Sequence, residues 1–328
     1  MRDSLQKRCD LFIHNRDTIK SAFGWESAYM YPLCANIYSS KGLQADAAQM
    51  KKSREILKKR TSLFSNFRGT SKMAIISMLS VSTFPEQQME QMLLAYNALK
   101  SVFWGSEYLS VAAAVLAEMA DPNQYGKIAQ RTRAIYNRMK KRHPFLTSGE
   151  DSTLAALLAL SEMEDDFIEE EMERCYVALK PYFFSKDAIQ SLSHVLTLGK
   201  IPVQDKCQKV VQLFNYLRNR GYKYGVSYEL ATLGVLTLLD VEIDVLAEEI
   251  IEVDNFLKNH KGFGVWGIGA KQRLMYAAML VMSDYVPDAR TIQIAALNGI
   301  ISLVIAQQVA ICVSLAAVSA AAATSAST

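Results

Sequence analysis

The pentapeptide YNALK at residues 96–100 returns as YNRMK at 136–140 and as YVALK at 176–180. An aromatic residue, three positions later a leucine or methionine, and then a lysine recur at a fixed interval. Extending the pattern recovers Leu57-Lys58, Leu99-Lys100, Met139-Lys140, Leu179-Lys180, Leu217-Arg218 and Leu257-Lys258, with steps of 42, 40, 40, 38 and 40 residues. The aromatic position holds Tyr96, Tyr136, Tyr176 and Phe214, and the end units carry Arg54 and Asp254 there instead. Periods of this length belong to helical-repeat architectures, whose terminal units commonly deviate.

Beyond each marker a further aromatic opens the next unit: Phe64, Phe103, Phe145, Phe183, Tyr222 and Phe263, with Phe23 ahead of the first. Each is followed by a run such as LSVAAAVLAEM or ELATLGVLTLLD, apolar almost all round, which predicts a helix buried on several sides. A break carrying proline or acid then starts a second helix: PEQQ at 85, DPNQ at 121, EDD at 164, PVQD at 202 and DVEID at 240. Proline and carboxylates suit a helix N-terminus. The second helix is amphipathic and ends at the Leu-Lys marker, its aromatic and leucine on one face at i and i+3. That face is expected to pack on the buried first helix, while the lysine meets the negative end of the helix dipole.

One such hairpin cannot bury its own face, so neighbours must stack. The expectation is six hairpins from about Phe23 to His260, a leading helix near 3–20 and an inner helix near 268–285. The fold class is all-α, a helical-hairpin repeat array of about fifteen helices, either an α/α toroid or a superhelical solenoid. No sustained alternation predicts a sheet. Residues 1–288 read as one repeat domain. Residues 289–328, which carry no charge after Arg290, read as an Ala-rich apolar helix. It would pack on the array or on a second subunit, or contact a membrane; Ile300–Val318 is about long enough to span, against which stand Gln307 and Gln308.

The 328 residues are half hydrophobic with a net charge of +3. That balance suits a globular chain and gives no ground for a specific nucleic-acid partner. Five cysteines, Cys9, Cys34, Cys175, Cys207 and Cys312, lie far apart, which suggests a reduced, cytoplasmic compartment. The charged N-terminus has no apolar core of a secretory signal.

Four motifs need weighing. Asp165, Asp166 and Glu169 form a DDxxE arrangement of the kind that presents carboxylates to magnesium in class I terpene synthases, but they stand where every unit starts its second helix. Gly262, Gly264 and Gly267 match GxGxxG, yet follow a helix rather than the strand a dinucleotide loop requires. The basic clusters 51–60 and 131–144 end second helices, where solvated cations are expected. Of the four histidines only His194 sits in an apolar run. No nucleophile elbow, HExxH, P-loop or paired CxxC occurs. No metal site or cofactor is therefore expected.

In a hairpin array all first-helix N-termini fall on one rim. Collected there are Trp25 and Glu26; Arg68, Ser71 and Lys72; Trp104, Ser106 and Glu107; Glu150 and Asp151; Lys186 and Asp187; Tyr224, Tyr228 and Glu229; and Trp266, Lys271 and Arg273. All three tryptophans are among them. Unpaired N–H groups and positive dipole ends make such a rim receptive to anions. The expected ligand contacts are Trp104, Trp266, Lys271 and Arg273.

The opening LFIHNRDTIKSAFGWESAYMYPLCANIY, the segment GIGAKQRLMYAAMLVMSDY and the tail IISLVIAQQVAICVSLAA together resemble a bacterial family, domain of unknown function 4003. The resemblance implies a bacterial, Gram-positive origin and brings no activity, ligand or catalytic residue. Two function classes follow. One is a binding or scaffolding protein that holds a peptide, protein or small ligand along its inner face or rim. The other is a toroid enzyme acting on an isoprenoid or glycan, with Glu107, Glu150, Asp151 and Glu229 as candidate acids or bases.

Overall fold

The computed structural model describes residues 1–264 and 267–285. Among them are fourteen α-helices and no strand. The odd-numbered helices are α1 (Asp3–Ala22), α3 (Ala47–Arg60), α5 (Pro85–Lys100), α7 (Tyr125–Arg142), α9 (Asp165–Leu179), α11 (Val203–Asn219) and α13 (Ile243–Lys258). Each buries a stripe; on α5 it is Met89, Met92, Ala95 and Leu99. The even-numbered helices are α2 (Met30–Ser40), α4 (Lys72–Ser80), α6 (Glu107–Met119), α8 (Asp151–Ala159), α10 (Lys186–Thr197), α12 (Leu230–Leu236) and α14 (Gly269–Tyr285). These are apolar all round for the reason anticipated: every residue of α8 and of α12 is buried.

The boundaries follow from local chemistry. Pro85 opens α5 and Pro202 precedes α11, where no hydrogen bond is lost. Asp46, Ser106 and Ser185 cap α3, α6 and α10 by accepting from free N–H groups of the first turn. The helices then pair in a phase that differs from the sequence expectation. Each outer, odd-numbered helix packs on the inner, even-numbered helix that comes after it, α1 on α2 through α13 on α14. The aromatics at the turns anchor the return: Phe23, Phe67, Phe183 and Phe263 are all buried. In this phase the leading helix and the last inner helix belong to hairpins of their own, giving seven. Indeed α1 carries the marker, with Arg16 and Ile19-Lys20 standing 38 residues ahead of Leu57-Lys58. Ile19, Leu57, Leu99, Met139, Leu179, Leu217 and Leu257 are all at most 2% exposed.

The aromatic of each marker serves a purpose other than the one expected. It reaches the turn of the preceding hairpin rather than its own inner helix. Tyr96 meets Phe67 edge-on at 5.2 Å, Tyr136 meets Phe103 at 5.3 Å, and Phe214 meets Phe183 at 5.2 Å. Tyr176 meets the imidazole of His143 at 4.4 Å. Where the marker is arginine the contact survives in another form: Arg54 lies over Phe23 at 5.6 Å and Arg16 over Phe263 at 4.9 Å. Aromatic and cation–π pairs of this kind contribute about 0.5–1.5 kcal/mol beyond the area they bury. Only Asp254 abandons the ring contact, and it binds Arg273 instead.

The Arg16 contact joins the last turn to the first outer helix, so the series returns to its start. Inner helices touch in the order α2, α4, α6, α8, α10, α12, α14 and α2 again; outer helices do the same from α1 through α13 to α1. At the joint Phe12 packs on Phe263 and Tyr276, with ring centroids 5.8 and 5.9 Å apart. Arg16 also donates to the Lys261 carbonyl. A Cβ on Gly262, whose φ is +93°, would stand 2.9 Å from the Arg16 guanidinium, so the backbone there needs glycine on both counts. Asp284, only 2% exposed, accepts from Ser4 at 2.8 Å and pairs with Arg2 at 3.0 Å and Arg8 at 3.3 Å. Expectations placed on Trp266, Cys312 and residues 289–328 lie outside the described residues. Among the described residues no helix is long and apolar enough to cross a membrane.

Removing the buried Asp284 carboxylate would leave the mostly buried Arg8 without its acid, while Arg2 keeps Glu249. Asp284→Ala is therefore expected to lower the unfolding free energy by about 3 kcal/mol, measured by urea denaturation. A loss below about 0.5 kcal/mol, the size of a surface substitution, would show that the joint carries no weight.

Candidate functional site

Because every outer helix runs the same way round the array, the turns after odd helices share one edge. Contacts between turns bind that edge together. Lys72 pairs with Glu26 at 2.7 Å; Glu107 accepts from the N–H groups of Thr70 at 2.7 Å and Ser71 at 3.3 Å. Thr153 donates to the Tyr108 carbonyl at 3.2 Å, Gln190 to Thr147 at 3.0 Å, and Gln272 to Tyr228 at 2.9 Å.

The helix dipole sets the charge of this edge. Cations stabilise helix C-termini and acids stabilise N-termini. The last turns of the outer helices accordingly hold Lys20, the Lys58–Arg60 run, Lys100, the Lys140–Arg142 run, Arg218 and Lys258. Their first turns, at the opposite edge, hold Asp3, Glu86, Asp165, Asp166, Asp205 and Asp244. Parallel alignment sums these local preferences into one basic edge and one acidic edge.

The basic edge also displays large apolar side chains at its loop tips. Phe64 is 93% exposed, Trp104 96%, Phe145 98%, and Phe184 fully; Trp25 and Tyr182 are exposed as well. Phe84 and Leu43 are exposed at the acidic edge. The sequence reading marked Trp25 and Trp104 for the rim and named Phe64 and Phe145 only as the aromatics that open their units. Phe67 and His143 fill the inward places at those turns. The available signal was the doubling of aromatics, Phe64 with Phe67 and Phe183 with Phe184, since one turn can bury only one of each pair.

Of the expected ligand contacts, Trp104 and Lys271 are exposed on this edge. Arg273 is not available there. It is buried, with both ends of its fork on Asp254 at 2.8 and 3.0 Å and its remaining nitrogen on the Phe263 carbonyl at 2.8 Å. Arg273, at the start of α14, is thus a brace for the turn. The edge carboxylates are similarly engaged: besides Glu107, Asp151 accepts from Ser148 N–H at 2.8 Å and Glu229 from Ser227 N–H at 3.3 Å.

Two sequence motifs resolve together. Arg131 pairs with Asp165 at 2.9 Å, Arg138 with Asp166 at 2.6 Å and Glu169 at 2.7 Å, and Arg142 with Glu169 at 2.7 Å. The DDxxE acids thus pair with three arginines of the second basic cluster across α7 and α9, and Arg142 and Arg138 hold the Glu169 carboxyl below its ordinary range. In GxGxxG, a Cβ on Gly267 would fall 1.9 Å from the Gly262 carbonyl oxygen. Those glycines permit a tight turn before α14.

Beneath the edge, Asp151 of α8 and His194 of α10 face each other, with 3.6 Å between Oδ1 and Nδ1 and both side chains buried. Burial comes first for each. It pushes the Asp151 carboxyl up to about 7, helped by Glu150 and Asp187 and opposed by the Ser148 N–H and Lys140. It pushes the His194 imidazole down to about 3, helped by His143. Both groups are neutral at mildly acidic pH, so the contact is no ion pair. The folded state keeps the Asp151 proton that the unfolded chain releases, so this group's contribution to stability falls as pH rises from about 4 to 7. Folding excludes the proton that unfolded His194 binds, so that contribution rises between about pH 3 and 6.5. The two slopes oppose one another, each at most about 1.4 kcal/mol per pH unit. Relative to wild type, Asp151→Asn should gain stability with rising pH from 4 to 6.5, and His194→Gln should lose it, as read from urea midpoints at stepped pH. Parallel profiles for all three proteins would refute the assignment.

The sequence matches the family described as "Protein of unknown function (DUF4003)" over residues 15–309, and the chain belongs to that family. No curated protein and no solved structure matches it.

Proposed function

We propose that this member of the family is a binding or scaffolding protein, an α/α toroid whose working surface is the basic edge. One observation carries the reading: among the described residues, the turns after α1, α3, α5, α7 and α9 each raise a large apolar side chain into solvent beside a cationic helix end. The most exposed of the large apolar side chains, Phe64, Trp104, Phe145 and Phe184, all stand on this edge, whereas Phe84 and Leu43 stand on the other, and a bias of this kind marks an interaction side. The buried turn aromatics and cross-turn hydrogen bonds hold these tips at fixed positions, which is what a recognition surface requires. Trp104 and Lys271 are the proposed contacts, with Arg273 supporting the turn behind them.

The commitment of Glu107, Asp151 and Glu229 to backbone N–H groups favours binding over acid–base catalysis. Asp151 and Glu229 are also buried, at 4% and 3% exposed, out of reach of a substrate proton.

The test is photo-crosslinking in the native cell, with a benzophenone amino acid introduced at position 104 or, as a control on the acidic edge, at position 84. Adducts from 104 that are missing from 84 are the expected result. Adducts from 84 alone, or from neither, would contradict the choice of edge.

A further inference from the structure

The arrangement of the tips points to a particular partner, an inference that rests on the reading of the basic edge as the working surface. We propose that this edge docks on the surface of an anionic lipid bilayer.

The exposed aromatics are dispersed rather than gathered. Phe64, Trp104, Phe145 and Phe184 stand on four successive hairpins, with Leu63 exposed beside Phe64 and Tyr182 beside Phe184. A protein partner is held by a contiguous, well-packed apolar centre with matching shape. A bilayer interface makes no such demand, because each ring can enter the headgroup layer independently of the next. Aromatic side chains favour that layer, which receives an apolar body and a polar rim together.

Cations accompany each tip. The Lys58–Arg60 run precedes Phe64, Lys100 precedes Trp104, Lys140 and Lys141 precede Phe145, and Lys180 precedes Phe184. A lysine or arginine near an anionic leaflet raises affinity about fivefold, and its long stem lets the charge reach the phosphates while the aliphatic part lies against apolar surface. The acidic edge supplies orientation. The seven outer helices gather cations at one edge and carboxylates at the other, and the acids that the antiparallel inner helices return to the basic edge, Glu107, Asp151 and Asp187, are fewer than its cations, so a negative surface attracts the molecule from that side. The α3 cluster extends the basic surface: Lys51, Lys52, Lys59 and Arg60 are exposed, and among the described residues Glu55 is the acid that meets this helix's cations at Lys58 and Arg54. By contrast, the α7 arginines are taken up by α9.

Flotation of the full chain with vesicles tests the proposal, using phosphatidylcholine alone and phosphatidylcholine with about 30% phosphatidylglycerol, each at low and high salt. The chain should float with the anionic vesicles, and added salt should release it. Replacing three tips together, Trp104→Ala, Phe145→Ala and Phe184→Ala, should lower the bound fraction about tenfold, because interfacial binding scales with buried apolar area. Lys59→Glu with Lys141→Glu should lower it at least as much, and Phe84→Ala on the acidic edge should leave it unchanged. All of these side chains are exposed, so thermal unfolding should barely move. The proposal is overturned if the chain stays with the soluble fraction, or if the tip and charge variants float like wild type. Protein adducts from position 104 without vesicle binding would sink the lipid proposal and leave the binding edge standing. Absence of both would remove the two together.

Discussion

An inner helix that is apolar on every side cannot exist in water, and this constraint organises the rest of the molecule. Burying α8 or α12 completely takes an outer helix behind it and an inner helix on either flank. Each of those inner neighbours carries the same requirement. A row of such hairpins therefore leaves an unsatisfied face at each end until the ends meet. The contacts of Phe12 with Phe263 and Tyr276, and of Arg16 with Phe263, complete the circuit. Closure is the condition under which the same sequence pattern, repeated, has no exposed remainder.

The link between units is a ring set under the preceding turn. Tyr96, Tyr136, Tyr176 and Phe214 each perform it, and arginine substitutes at the first two outer helices by lying over a phenylalanine. The deviations at Arg16 and Arg54 are therefore chemical variants of one contact. Fixing every turn on its neighbour also fixes the edge. Its charge needs no separate explanation, since lysines at helix C-termini and acids at N-termini are favoured locally, and parallel outer helices add them.

The repeat, the helix classes and the starts of α5, α9 and α11 were legible because proline, acid and apolar periodicity act within a few residues of the structure they specify. The membership of α1 was less so. Ile19-Lys20 fits the marker, but an arginine at position 16 hid the pattern from a search for aromatics, and only the ring of Phe263 reveals what arginine does there. The same limit applies to the candidate site. Trp104 could be placed on the edge from its position alone. Whether Phe64 or Phe67 turns inward depends on the space left by Tyr96, which no local pattern records. Arg273 looked like an anion contact beside a helix start; its partner Asp254 lies in the preceding helix and was visible only as a break in the marker series. The pairing of DDxxE with the α7 arginines was equally hidden, since it joins segments about thirty residues apart.

Closure of the ring is measured most directly by native-state hydrogen exchange. In a closed array, the core amides of α1 and α14 should exchange only through global opening, with the same free energy as those of α7 and α8. If α1 or α14 instead opens separately at a much lower free energy, as the end units of an open solenoid do, the first and last hairpins are not joined and the account is wrong.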